Sequence, residues 1–134
     1  YLYPTACQSH QSGIPMIRPL VMEYPKDPIA KTQNLSYMLG DALLISPGFD
    51  RDEYELYLPE GRWQDIESKE VYEGMTFVHI ENKAFADGGT SLRVFQKEGT
   101  SIPLFAQKEV LHVPAQLWKQ EDLEFMIFQK KDVD

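Results

Sequence analysis

Tyr54-Glu55-Leu56-Tyr57-Leu58-Pro59-Glu60-Gly61-Arg62-Trp63-Gln64-Asp65-Ile66 is the stretch that decides the fold. Tyr54, Leu56 and Leu58 alternate with Glu55 and Tyr57, the period of two that belongs to a strand. Leu58-Pro59-Glu60-Gly61 puts proline second and glycine fourth, the preference of a type I turn. Arg62–Ile66 then reads as the returning partner strand, with Trp63 buried at the base of the hairpin. Upstream, Ala42–Ser46 is a short apolar run. Downstream, Thr76–Ile80, Leu92–Gln96, Ile102–Phe105, Val110–Val113 and Leu123–Gln129 read as further strands, punctuated by Asp87-Gly88-Gly89 and Glu98-Gly99. Short strands with regular turns predict a mainly β fold, a β-sandwich over residues 41–134.

Before Gly40 the pattern differs. Residues 1–11 read as the tail of a helix, closed by Ser12-Gly13, with Gly13 suited to a C-terminal cap. Ile14–Tyr24 is an extended, mostly apolar run interrupted by Pro15 and Pro19, which is unlike a freely paired strand. Asp27-Pro28 supplies an N-cap and a first-turn proline, and Gly40 suits a helix end. A helix from about Pro28 to Leu39 is therefore expected, with Ile29, Gln33, Tyr37 and Met38 on a modest stripe. A domain boundary is placed near Gly40, between the end of a βα architecture (1–40) and an all-β domain (41–134).

Composition narrows the function classes. The 134 residues suffice for a domain with its own core. Apolar residues make up 43% and charged residues 25%, a globular balance. The net charge of −8 repels phosphate backbones and argues against a nucleic-acid partner. No apolar run approaches the roughly 20 residues that span a bilayer, so no membrane partner is expected. The single cysteine, Cys7, cannot form an internal disulfide. The chain opens Tyr1-Leu2-Tyr3 without an initiator methionine, as a fragment or processed product would.

A set of ordered motifs resembles glycoside hydrolase family 31. Ser12-Gly13-Ile14-Pro15-Met16-Ile17-Arg18-Pro19-Leu20 is similar to the "G-x-P-x-x-R-P-L" segment, which in that family forms the eighth strand of the catalytic (β/α)8 barrel. Glu23-Tyr24-Pro25-Lys26-Asp27 resembles the "E-[FY]-P-x-D" that follows it. Tyr37–Pro47 resembles "[YF]-[ML]-x-G-x-x-L-L-V-[AS]-P". Tyr57–Trp63 resembles "Y-L-P-x-G-x-W", and Phe95–Pro103 resembles "V-[FY]-x-[KR]-x-G-[ST]-I-[IL]-P". Tyr1-Leu2-Tyr3 is similar to the "P-Y-L-Y" of the seventh barrel helix. Each motif is weak alone; six in order, over about residues 1–104, are specific. Asn34-Leu35-Ser36 and Pro47-Gly48-Phe49 depart from the pattern and put the subfamily in doubt.

The resemblance implies the end of a retaining α-glucosidase or α-xylosidase of carbohydrate metabolism. Residues 1–40 would be a barrel remnant (end of helix 7, strand 8, helix 8), followed by the proximal C-terminal β-sandwich. Such enzymes use two aspartates about 5–5.5 Å apart to pass through a covalent glycosyl intermediate. Both lie upstream in the family, as do its substrate-binding arginine and histidine. No catalytic, cofactor-binding or metal-binding residue carries over, and the chain alone is expected to hydrolyse nothing. The alternative is a free-standing carbohydrate-binding or interaction module. The implied partner is the missing catalytic barrel. Without it, Ile14, Met16, Ile17, Leu20, Val21 and Met22 would lie on an open strand and favour self-association through residues 1–40.

Other residues carry candidate chemistry. Asp50-Arg51-Asp52-Glu53 lacks the glycine and distal glutamate of a calcium loop and reads as a solvated turn. Glu23 follows a barrel-type strand, where catalytic groups gather, but a supporting role is the simpler reading. His10, His79 and His112 have no ligand spacing. Cys7 reads as a small buried hydrophobe rather than a nucleophile, since no basic neighbour stands beside it to activate it. Trp63, Trp118, Tyr57 and Tyr72 could stack on sugar rings, but aromatics of a sandwich usually fill its core.

Overall fold

The computed structural model describes residues 1–48, 51–82, 92–105 and 123–130. Helix α1 (Leu2–Ser12) is closed by Gly13, whose φ of 74° is left-handed and whose N–H reaches Ser9 O. Strand β1 (Ile17–Pro19) leads into a single helical turn, α2 (Leu20–Glu23), and a 3-10 turn (Ala30–Thr32). Strands β2 (Tyr37–Leu39), β3 (Leu43–Pro47), β4 (Glu53–Leu58), β5 (Arg62–Asp65), β6 (Val71–Glu73) and β7 (Thr76–Glu81) follow. Strands β8 (Leu92–Lys97), β9 (Thr100–Phe105) and β10 (Leu123–Phe128) complete the described chain.

These strands form the antiparallel β-sandwich expected from the alternating pattern. A six-stranded sheet runs β1-β2-β3-β8-β5-β6, and two-stranded sheets pair β4 with β7 and β9 with β10. The two small sheets cover opposite faces of the large one. Leu44 of β3, Trp63 of β5 and Phe95 of β8 pack with Leu56 of β4 and Val78 and Ile80 of β7. Leu43 and Ile45 of β3 pack on the other side with Ile102 of β9 and Met126 of β10. Strand β3 is thus buried on both faces, which is why Ala42–Ile45 is a continuous apolar run rather than an alternating one.

Three sequence expectations are corrected. Arg62–Asp65 does not return alongside β4: β4 pairs with β7, while β5 lies between β6 and β8. The Pro59–Gly61 turn carries the chain from one sheet to another, which lets Trp63 point back between the sheets. The helix expected over Pro28–Leu39 is only the 3-10 turn. Asp27 does act as its cap, its Oδ1 accepting from the N–H groups of Ile29 (2.8 Å) and Ala30 (3.1 Å). Beyond Thr32, however, Tyr37–Leu39 gain two ladder partners in β1 and β3 and bury Met38, which a solvent-facing helix would not. The extended run Ile14–Tyr24 holds only a three-residue strand before α2 begins. The ladder β1-β2-β3 is continuous across residue 40, with Gly40 at φ 63° in the β2–β3 turn. The strand expected at Val110–Val113 lies outside the described residues.

Candidate functional site

The segment between α2 and the 3-10 turn forms one wall of a cleft of about 360 Å3. The wall is Glu23–Pro28; Glu60, from the β4–β5 turn, and Met75, from the β6–β7 turn, face into the same space. Both sides are pinned. Tyr24 OH accepts from Lys97 Nζ of β8 at 3.0 Å, and that ammonium also lies 5.1 Å from the Tyr24 ring centroid. Tyr57 OH of β4 donates to Asp27 Oδ2 at 2.7 Å. The segment therefore straps the large sheet to the outer face of β4–β7. Opposite, Trp63 Nε1 donates to Pro59 O at 2.8 Å and Gly74 N–H to Gly61 O at 2.7 Å. A Cβ on Gly74 would collide with Pro59 O, so this close approach of two turns requires glycine.

Electrostatics follow these contacts. Burial pushes the Asp27 carboxyl up, but the bonds from Tyr57, Ala30 and Ile29 outweigh it and hold the group below the usual carboxylate range. Burial and then the Asp27 hydrogen bond push the Tyr57 phenol up to about 12. Burial also raises the Tyr24 phenol, against the lowering effect of Lys97. Glu23 Oε1 accepts from Arg18 Nη1 at 2.7 Å, and buried Arg18 also donates from Nε to Pro15 O at 2.7 Å. Glu23 is thus committed to Arg18, and the Arg-Pro-Leu segment has a physical reason: its arginine locks β1 to α2.

The other sequence candidates disperse. His79 sits on the exposed face of β7, between Glu55 (2.9 Å) and Glu53 (3.5 Å) of β4. The Glu55 hydrogen bond raises its pKa. Asp52 O and Arg51 O receive Asn82 N–H groups in a turn, and Glu53 opens β4. Among the described residues no group of three or more His, Cys, Asp or Glu could hold a metal. His10 is exposed on α1. Cys7 is exposed too, contrary to the expectation of burial, because the buried side of α1 carries Thr5. Trp63 and Tyr57 are fully buried and cannot stack on a ligand. Tyr72 packs edge-on against Phe95 and donates to Glu70. Trp118 and His112 lie outside the described residues. Leu20, expected on an open strand, is fully buried, whereas Ile14, Ile17, Val21 and Met22 are exposed.

Residues 13–109 match the model of the glycosyl hydrolase family 31 C-terminal domain. The chain belongs to glycoside hydrolase family 31. The human neutral alpha-glucosidase AB is 35% identical over 107 residues, 77% of this chain and 11% of that protein. Alpha-glucosidase 2 of Bacillus thermoamyloliquefaciens is 34% identical over 118 residues, 85% of this chain and 14% of that protein. A cycloalternan-forming enzyme from Listeria monocytogenes, solved with a pentasaccharide substrate, superposes with a TM-score of 0.78 at 32% identity. It covers 96% of this chain and 12% of its own. The family 31 chain described here thus corresponds to a C-terminal domain and spans a small fraction of its relatives' length.

Proposed function

We propose that this domain is a non-catalytic accessory part of a longer retaining α-glycosidase, an α-glucosidase or α-xylosidase, and that it buttresses the catalytic barrel. One observation carries the reading. Leu2, Tyr3, Ile14, Ile17, Val21 and Met22 are exposed on α1, β1 and α2 and the connection between them, in a chain that matches the C-terminal domain of much longer enzymes. Exposed apolar side chains on these segments call for a partner, and barrel residues outside this sequence would supply one. When the barrel is absent, β1 is the edge of its sheet, and Ile17 on that edge favours self-association between copies.

The test is twofold. The purified chain should show no turnover of aryl α-glucoside or aryl α-xyloside above a buffer blank. It should co-elute with a separately produced catalytic portion of a family 31 α-glucosidase, and Ile17→Asp with Met22→Asp should abolish that complex and reduce self-association in light scattering. Turnover by the chain alone, or a complex indifferent to both substitutions, would refute the reading.

A further inference from the structure

We propose that the cleft between the Glu23–Pro28 wall and the Glu60 and Met75 turns is a binding site for one or two pyranose rings. The choice of an α-glucan as their source rests on the function proposed above; the cleft itself does not depend on it. Its volume of about 360 Å3 lies at the small end of the roughly 300–1,000 Å3 of small-molecule sites.

The lining sorts into committed and free groups. Glu23 is held by Arg18, and Asp27 is held by Tyr57 and the 3-10 turn. Among the described residues, Glu60 and Lys26 have no hydrogen bond or ion pair. Asp27 keeps its charge but is spent on Tyr57 and the 3-10 turn, so the cleft is slightly negative and disfavours an anion. The one free carboxylate and the one free ammonium suit hydroxyls that can both donate and accept. Tyr24, Pro25, Pro28 and Met75 supply the apolar surface between them. A ring whose hydroxyls both donate and accept, and whose C–H groups form a flat apolar face, satisfies all three features. A hydroxyl donates to Glu60, another accepts from Lys26, and the C–H face packs on the prolines and the thioether.

Two features show that the site is built rather than incidental. Its walls are fixed by the hydrogen bonds of Tyr24, Asp27, Pro59 and Gly74 described above, so little ordering remains on binding. Met75 is exposed, yet its φ of 58° is left-handed, a costly conformation for an unbranched side chain that places the thioether at the cleft.

The experiment is a titration of the full chain with glucose, maltose and isomaltose, and with the acyclic polyol mannitol as control, followed by amide and methionine-methyl NMR signals. Saturable shifts in the millimolar range are expected at Tyr24, Lys26, Glu60 and Met75, with mannitol silent. Glu60→Ala and Lys26→Ala, both at exposed positions, should each weaken binding about tenfold, the loss of one charge-assisted hydrogen bond. Glu67→Ala, on an exposed turn elsewhere, should leave it unchanged. No saturable shift, shifts elsewhere on the domain, or affinity undiminished in both cleft variants would overturn the proposal. Barrel co-elution is a separate readout: sugar binding without a complex refutes only the buttress, and a complex without sugar binding refutes only the cleft.

Discussion

Replacing Trp63 with alanine removes the largest fully buried side chain among the described residues. The indole is fully buried and packs in one cluster with Leu44, Leu58 and Phe95. A buried aromatic of this size withdraws about 150–250 Å2 from water, or ~4–6 kcal/mol at ~25 cal/mol per Å2. Alanine retains about one methyl group of that, ~0.8 kcal/mol, so the expected loss is ~3–5 kcal/mol, the measured span for large core aromatics. The bond from Nε1 to Pro59 O belongs in the same figure. Trp63→Phe keeps the six-membered ring but removes the pyrrole edge with its donor, so about 1–3 kcal/mol should go for the unpaired Pro59 O and the vacated space adds to it. Urea unfolding followed by far-ultraviolet circular dichroism gives both values from the midpoint at constant slope. A loss below about 0.5 kcal/mol for Trp63→Ala, the level of a surface site, would refute the placement of Trp63 between the sheets.

Other expectations follow from the strap and the turns. Asp27→Asn should flatten the acid limb of the stability profile. The carboxyl is depressed on folding, so its contribution is present above its unfolded pKa of about 3.9 and is lost as pH falls through the lower folded value; an unchanged acid limb would refute it. The phenol of Tyr57, raised to about 12, adds the opposite slope. Stability is full below the ordinary tyrosine value of about 10 and falls as pH rises toward the folded one, and Tyr57→Phe should remove that alkaline loss. Gly74→Ala should cost about 1–3 kcal/mol in urea unfolding, because the added methyl meets backbone at Pro59 rather than a yielding side chain. A chain starting at Asp41 should melt below the full chain in calorimetry, since it loses β1, β2 and buried Met38; equal melting temperatures would contradict the ladder across residue 40.

Strands were legible wherever one face is wet and the other buried. Glu53–Leu56 and Phe77–Glu81 alternate because β4 and β7 form an outer layer with a solvated face, on which Tyr57 alone is covered, by the strap that holds Asp27. Pairing was not legible, because a strand's pattern fixes its buried face but not its neighbour. Arg62–Asp65 follows β4 by three residues yet joins β8, its residues pairing with ones 30 to 34 positions on. Short strands were missed for another reason. Tyr37–Leu39 and Val71–Glu73 are three residues long, too brief to show a period, and the former also fits a helical stripe. The cleft was least legible. Asp27 was read as a helix cap, which it is, but its bond to Tyr57 spans 30 residues and that of Tyr24 to Lys97 spans 73. No local spacing encodes such contacts. The tyrosine of the Glu-Tyr-Pro segment and the lysine after Phe95-Gln96 were in view only as parts of separate motifs.

The burial of β3 on both faces explains why the first forty residues fold with the sandwich rather than beside it. A central strand exposes N–H and C=O groups on both edges, and each needs a partner when water is excluded. On one edge β8 supplies them over five residues; on the other only β2 does, over three. Strand β2 in turn is covered by β1, and Tyr1 reaches across the top, its hydroxyl donating to Leu39 O at 2.7 Å and accepting from Ala42 N–H at 3.3 Å. The seam between the two halves is therefore sealed by hydrogen bonds from both sides of Gly40, where a Cβ would collide with the Tyr1 hydroxyl. What remains unsatisfied is the outer surface of α1, β1 and α2, where Leu2, Ile17 and Met22 face solvent. The same forty residues thus present two surfaces of different character: an inner one closed by backbone pairing, and an outer one that leaves apolar side chains open among the polar residues of α1. That outer surface is the one which the buttressing role proposed above assigns to the barrel.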